Sequence, residues 1–326
     1  MKKRTKILIS MLVVVVFFII FDIASYEIAN RKFLNDYVPK DQWSSYHFPA
    51  WWENKFRFHD VTTMKWFEEN GGDKLFRPAA GLEYKKSSIW IFGCSFVYGT
   101  SMVNGHHPDE ETFGYILSKT THRPVYTRGY PSWGIQHMYY QLEKGDIFKT
   151  LPNPDYVVYV FISDHARRMQ KLIYDFWSDG AYLRYEEKNG KLVQIKPILE
   201  PLWKLNAVKV YLTNLEYKVR AAYDKHDENF DLLEKYLFSS QEILKQHNPN
   251  VKFIVLKYNG GDGFDQWFLD TERWKEIKDK GIIVIDADKE LGVDLKDKKY
   301  LDPDNYHPNS YAWEKISEML SKKYIK

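Results

Sequence analysis

Tyr156 to Ile162, Tyr-Val-Val-Tyr-Val-Phe-Ile, is an unbroken run of β-branched and aromatic residues with no polar face. A strand half in water alternates apolar and polar side chains. A continuous apolar run marks a strand covered on both sides, as in a parallel sheet flanked by helices. Ile89 to Phe92 repeats the pattern, and further strand-like runs occur at Pro124–Thr127, Val251–Lys257 and Ile282–Asp286. Between and after them, helices are predicted over Asp109–Lys119, Ile135–Lys144, Asp231–Gln246, Phe268–Lys280 and Ser310–Tyr324. In Asp231–Gln246, Leu232, Leu233, Tyr236, Leu237 and Ile243 share one face. Strands alternating with helices predict an α/β fold, an open parallel sheet with helices on both faces. The 44% hydrophobic and 17% aromatic content is ample for that core and excludes global disorder.

The ends of these strands carry the candidate chemistry. Ile89–Phe92 stops at Gly93-Cys94-Ser95. The glycine allows a sharp turn, and a small hydroxyl residue beyond a buried strand is where a nucleophile can stand above a sheet. Taken alone, Gly-x-Ser reads as a strand followed by a turn with an incidental serine. Near the other end, Asp304-Asn305-Tyr306-His307-Pro308-Asn309 precedes the last helix. A carboxylate three residues ahead of a histidine can hold the imidazole in the tautomer that accepts a serine proton. Taken alone, His307 is a helix-capping loop residue. Pro124–Thr127 runs into Arg128-Gly129, where a glycine N–H can face a ligand at the carboxyl edge of the sheet. The cluster His106, His107, Asp109, Glu110 and Glu111 lacks the spacing of a ligand set and reads as a solvated helix start. No metal and no cofactor is expected.

A Gly-x-Ser block after the first strand paired with an Asp-x-x-His block before the last helix resembles the SGNH/GDSL hydrolase family, over roughly residues 87 to 326. The resemblance implies a flavodoxin-like open parallel sheet and a catalytic Ser95, His307 and Asp304. It also implies an oxyanion hole from the N–H groups of Ser95 and Gly129. The family's third block is Gly-x-Asn-Asp, whose asparagine donates to the oxyanion. Here Phe161 stands for the glycine and Ser163 for the asparagine, while Asp164 matches. Ser163 is therefore the third candidate donor, with Arg128 or His165 as substitutes. Cys94 stands where the family motif has an aspartate outside the triad. The implied activity is a serine esterase acting on O-acyl esters, chiefly acetyl, of a small molecule or an envelope glycan. A polysaccharide O-acyltransferase would use the same residues with another acceptor. A non-catalytic envelope binding module that kept the fold is the rival from a different class.

Lys2, Lys3, Arg4 and Lys6 precede Ile7–Phe21, apolar but for Ser10. With Ile23, Ala24 and Tyr26 the segment reaches about twenty residues, enough for one bilayer crossing. A cleaved signal peptide is the competing reading, but no clear small-x-small site follows. The basic flank places the amino terminus in the cytoplasm and the rest outside, a single-pass membrane protein. The expected organisation is a tail (1–6), an anchor (7–26), an aromatic-rich connector (27–86) with a short helix at Val61–Asn70, and the hydrolase-like domain (87–326). An insertion at about 170–230 holds a hairpin over Ala181–Pro197 and a helix over Leu202–Tyr223. The net charge of +3 owes four of its 47 basic residues to the tail, leaving 43 against 44 acids, so no nucleic-acid surface is advertised. The single cysteine, Cys94, excludes an internal disulfide framework.

Overall fold

The computed structural model describes residues 10–25, 76–101, 105–131, 133–169, 183–195, 226–260 and 266–326. The chain divides into two compact units. One comprises Met1–Phe67, Lys171–Tyr182 and Lys196–Asp224, the other Glu68–Gln170, Leu183–Ile195 and Lys225–Lys326. The second unit contains the sheet and every candidate site residue.

Its strands in chain order are β1 (Ser88–Phe92), β2 (Thr100–Ser101), β3 (Gly105–His106), β4 (Val125–Thr127), β5 (Pro154–Phe161), β6 (Arg184–Lys188), β7 (Lys191–Ile195), β8 (Lys252–Lys257) and β9 (Ile283–Asp286). Five of them form one sheet in the order β4-β1-β5-β8-β9, and all four pairings are parallel. Counting only those strands, this is the 2-1-3-4-5 order of a flavodoxin-like sheet. Its direction of winding reverses at β1, so the crevice above β1 and β5 is where such a sheet offers a ligand site. The predicted parallel α/β architecture is observed.

The helices that bear on the site are α1 (Ser95–Tyr98), α2 (Phe113–Thr121), α3 (Ile135–Lys144), α4 (Ser163–Met169), α5 (His226–His247) and α6 (Ser310–Lys323). Right-handed crossovers from β1 to β4 and back to β5 place α2 and α3 on opposite faces. Phe113 of α2 stacks on Trp313 of α6, ring centroids 4.4 Å apart. Tyr139 of α3 meets Tyr236 of α5 edge to face at 5.6 Å. Covered from both sides, Trp90 of β1 and Tyr159 of β5 are 0% exposed. Burying one such side chain contributes on the order of 1.5–3 kcal/mol, so these two strands fix the frame on which the site hangs.

Several elements differ from the sequence reading in instructive ways. The stretch expected as one helix over Asp109–Lys119 is a 3-10 turn, Asp109–Glu111, followed by α2, because Thr112 is extended between them. The expected helix Phe268–Lys280 is two short ones, Gln266–Asp270 and Trp274–Asp279. Trp274 folds its indole N–H back onto the Phe268 carbonyl at 2.7 Å, and the Lys257 ammonium takes the Leu269 carbonyl. Both carbonyls lie in the last turn of Gln266–Asp270, where carbonyls have no intrahelical partner and take these side-chain donors instead. The hairpin β6–β7 turns at Asn189 (φ 53°) and Gly190 (φ 78°), both left-handed, as a two-residue turn of its hand requires. It belongs to the sheet-bearing unit, whereas residues 171–182 and 196–224 around it belong to the other.

Residues 10–25 are helical, and the large apolar side chains from Met11 to Phe21 are exposed. No helix among the described residues is long and apolar enough to cross a membrane. Residues 1–9, most of the aromatic connector with the predicted helix Val61–Asn70, and the predicted helix Leu202–Tyr223 lie outside the described residues.

Candidate active site

β1 ends at Phe92, and Gly93-Cys94 turn the chain into the single turn α1, whose first residue is Ser95. Gly99, left-handed at φ 73°, closes that turn, its N–H donating to the Ser95 carbonyl at 2.9 Å. The first N–H groups of a helical turn have no intrahelical acceptor, so the Ser95 N–H belongs to the face above the sheet. Gly129 comes to this turn from the end of β4. A Cβ there would collide with Val97 and sit 2.9 Å from the Gly93 carbonyl oxygen. Only glycine allows the two strand ends to approach so closely.

The other half of the site is a loop braced from several directions. Leu301 and Pro308 form an antiparallel bridge. Asn309 caps α6 through its side-chain oxygen, which accepts from the Ala312 N–H at 3.0 Å, and its amide donates to the carbonyls of Lys299 (2.9 Å) and Leu301 (3.1 Å). Asn305 takes a left-handed φ of 55°. Held this way, His307 is 3% exposed. Its Nε2 lies 2.9 Å from Ser95 Oγ, and its Nδ1 lies 2.7 Å from Asp304 Oδ2. The other carboxylate oxygen of Asp304 accepts the N–H groups of Tyr306 and His307, each at 2.9 Å. The carboxylate thus faces Nδ1 as an acceptor and keeps the ring proton there. That leaves the Nε2 lone pair toward the serine hydroxyl. Phe96 supports the imidazole with ring centroids 5.0 Å apart. A proton acceptor of this kind, 2.9 Å from a primary hydroxyl, is what nucleophilic attack by serine needs.

Ser163 begins α4 at the end of β5, beside β1, and is 3% exposed. Ser95, Gly129 and Ser163 therefore arise from the carboxyl ends of three neighbouring strands. Asp164 is paired with Arg168 at 2.6 Å, whose guanidinium also donates to the Trp133 carbonyl at 2.6 Å. The two groups named as substitutes for the family amide have other engagements. Arg128 directs Nε to Gln141 (3.1 Å) and lies over the Phe76 ring. His165 is fully buried, with Nδ1 2.7 Å from the Tyr159 hydroxyl, and burial holds it neutral, well below the usual histidine range. Cys94 is fully buried beside Ser95, and burial pushes its thiol up.

The sequence reading missed one pair. His107, assigned to a solvated helix start, has a side chain only 12% exposed, and its Nε2 lies 2.5 Å from Asp302 Oδ2. The physical reason is the β2–β3 hairpin, which carries His107 toward the loop that bears Asp302 and His307. The only available signal was Asp302-Pro303-Asp304, with a second carboxylate two residues before the one assigned to His307. Among the described residues, no group of three or more His, Cys, Asp or Glu side chains is arranged to hold a metal ion.

No protein-family model and no curated protein matches the chain. Solved structures do. A lipase from a goat rumen metagenome is 12% identical at a TM-score of 0.42, over 73% of this chain and 97% of that one. A member of the lipolytic protein G-D-S-L family from Veillonella parvula DSM 2008 is 12% identical at 0.41, over 73% and 98%. A carbohydrate esterase family 2 enzyme with its carbohydrate-binding domain, from Corynascus thermopiles (Myceliophthora fergusii), is 14% identical at 0.37, over 73% and 65%.

Proposed function

We propose that this chain is a serine ester hydrolase of the SGNH/GDSL kind. The observation that carries the reading is the pair of contacts at His307, 2.9 Å to the Ser95 hydroxyl and 2.7 Å to the Asp304 carboxylate. In the reaction, Ser95 Oγ attacks the ester carbonyl carbon as its proton passes to His307 Nε2. The carbonyl electrons move onto oxygen, where the N–H groups of Ser95 and Gly129 receive them, with Ser163 at the place of the family asparagine. Collapse breaks the bond to the alcohol, which leaves with the proton from His307. Water then attacks the acyl-enzyme, again losing its proton to His307; collapse breaks the bond to Ser95 Oγ, which takes that proton back, and the carboxylic acid departs. Asp304 keeps the imidazole oriented and stabilises its cationic form.

The substrate we infer is an O-acyl ester, chiefly O-acetyl, carried by a small molecule or an envelope glycan, with water as the acyl acceptor. A fluorophosphonate applied to the detergent-purified full chain tests the chemistry. One label per molecule, together with hydrolysis of p-nitrophenyl acetate, is the expected outcome. An unlabelled, folded protein would sink the reading.

We also place the protein in a membrane, with the sheet-bearing unit outside the cytoplasm. The exposed apolar side chains from Met11 to Phe21 and the basic residues Lys2 to Lys6 support this. Carbonate-washed membranes should retain the full-length chain, and protease added from outside should digest it. A soluble mature protein whose amino terminus lies near Tyr26 would show the segment to be a cleaved signal instead.

A further inference from the structure

A second histidine–carboxylate pair lies between the nucleophile turn and the acid–base loop, and the mechanism above does not use it. His107 Nε2 stands 2.5 Å from Asp302 Oδ2, with 12% and 5% of the two side chains exposed. His107 Nδ1 faces Glu111 Oε2 at 3.4 Å. An imidazole flanked by carboxylates at both nitrogens is suited to the cationic form, in which both ring N–H groups donate. The Asp302 hydrogen bond is the main cause raising its pKa, against the opposing effect of burial. Charge-assisted hydrogen bonds of this kind are about twice as strong as neutral ones.

Each half of the pair is wired through backbone to one reacting side chain. The His107 N–H donates to the Gly99 carbonyl at 2.8 Å, and the Gly99 N–H donates to the Ser95 carbonyl at 2.9 Å. On the other side, the Asp302 N–H donates to the His307 carbonyl at 2.8 Å, and the Asp302 carbonyl accepts the Asn305 N–H at 2.9 Å. The path Ser95, Gly99, His107, Asp302, His307 closes on itself through the 2.9 Å contact between Nε2 and Oγ. Apart from that contact between the two reacting side chains, every step but the His107–Asp302 pair runs through backbone, so the pair is the path's one separable link. We propose that His107 and Asp302 form a positioning clamp that sets the distance between Ser95 and His307. This inference rests on the hydrolase reading. The clamp touches neither substrate nor reacting atoms, and acts by holding the loop that bears His307 against the turn that bears Ser95.

The test uses the full chain in detergent, with p-nitrophenyl acetate as substrate and fluorophosphonate titration to count active sites. A misplacement of about 1 Å can cost about a hundredfold in rate, so H107A should lower kcat per titrated site by roughly ten- to a hundredfold with KM within about twofold. H107Q keeps a donor near the position of Nε2 and should recover most of that loss. A merely structural role would lower the number of titrated sites and the melting temperature while leaving kcat per site alone. If H107A does not fold, D302N decides, since it preserves shape while weakening the charge-assisted bond. Its kcat per site should fall by about threefold or more, KM again unchanged. Wild-type kcat per site in folded H107A, or in D302N where H107A does not fold, overturns the clamp and leaves the hydrolase reading intact. A wild-type protein that neither labels nor hydrolyses overturns both.

Discussion

Ser95→Ala is expected to abolish fluorophosphonate labelling and to lower turnover of an aryl ester by at least about a thousandfold, since removal of a triad nucleophile typically costs far more than tenfold. The hydroxyl is the atom 2.9 Å from the His307 lone pair, and alanine leaves that base with nothing to deprotonate. Cys94→Ala should keep most of both activities, although the thiol is next in sequence. A thiol needs to be a thiolate to attack. Cys94 is fully buried, and burial pushes its pKa upward, so at neutral pH it is protonated and inaccessible. The measurement is labelling and steady-state turnover of the two variants side by side. The reverse pattern would make this a thiol enzyme and would overturn the assignment of Ser95.

The second large effect belongs to Asp304→Asn. This substitution preserves shape, and the protein should fold with a melting temperature close to wild type. The side-chain oxygen that accepts the N–H groups of Tyr306 and His307 at 2.9 Å each must remain an acceptor. Asparagine has only one oxygen, so its amide nitrogen is forced toward His307 Nδ1. A donor there requires Nδ1 to accept, which moves the ring proton to Nε2, the atom that must take the serine proton. The expected loss is on the order of ten-thousandfold in kcat, the size seen when a triad imidazole is held in the wrong tautomer. Proton-detected NMR of the imidazole ring would show the tautomer directly. Turnover within tenfold of wild type in the folded variant would show that Asp304 does not orient His307.

The sheet was legible because its strands are short and apolar on both faces. Ile89–Phe92 and Tyr156–Ile162 have nothing polar to present to water, and that property survives without any knowledge of neighbours. Ser95, Gly129, Asp304 and His307 were legible because each sits at a strand end or just before a helix, marked by glycine or by a short spacing. What was illegible depends on contacts distant in sequence. His107 looked like a member of an exposed acidic cluster because its partner, Asp302, is 195 positions away. The break between Asp270 and Trp274 was invisible for a related reason. It falls where the side chains of Trp274 and Lys257 hold the carbonyls of Phe268 and Leu269, contacts that local helix propensity does not register. Likewise, Ser163 at the head of α4 was readable as a candidate donor at a strand end. Its identity does not say how the neighbouring Asp164 and Arg168 are occupied, which only the 2.6 Å ion pair between them reveals.

Cys94 has a consequence of another kind. It is the only thiol in 326 residues, it is fully buried, and it adjoins Ser95. A thiol-reactive compound added to the native protein has one place to react, and it can reach that place only when the turn after β1 opens. The rate of such a reaction therefore counts openings of the turn that bears Ser95, as amide exchange counts openings of a hydrogen bond. A ligand bound above Ser95 that holds the turn shut would slow it, with no need for that ligand to be turned over. The chain thus carries, one residue from the Ser95 hydroxyl, an internal gauge of how often this turn comes apart.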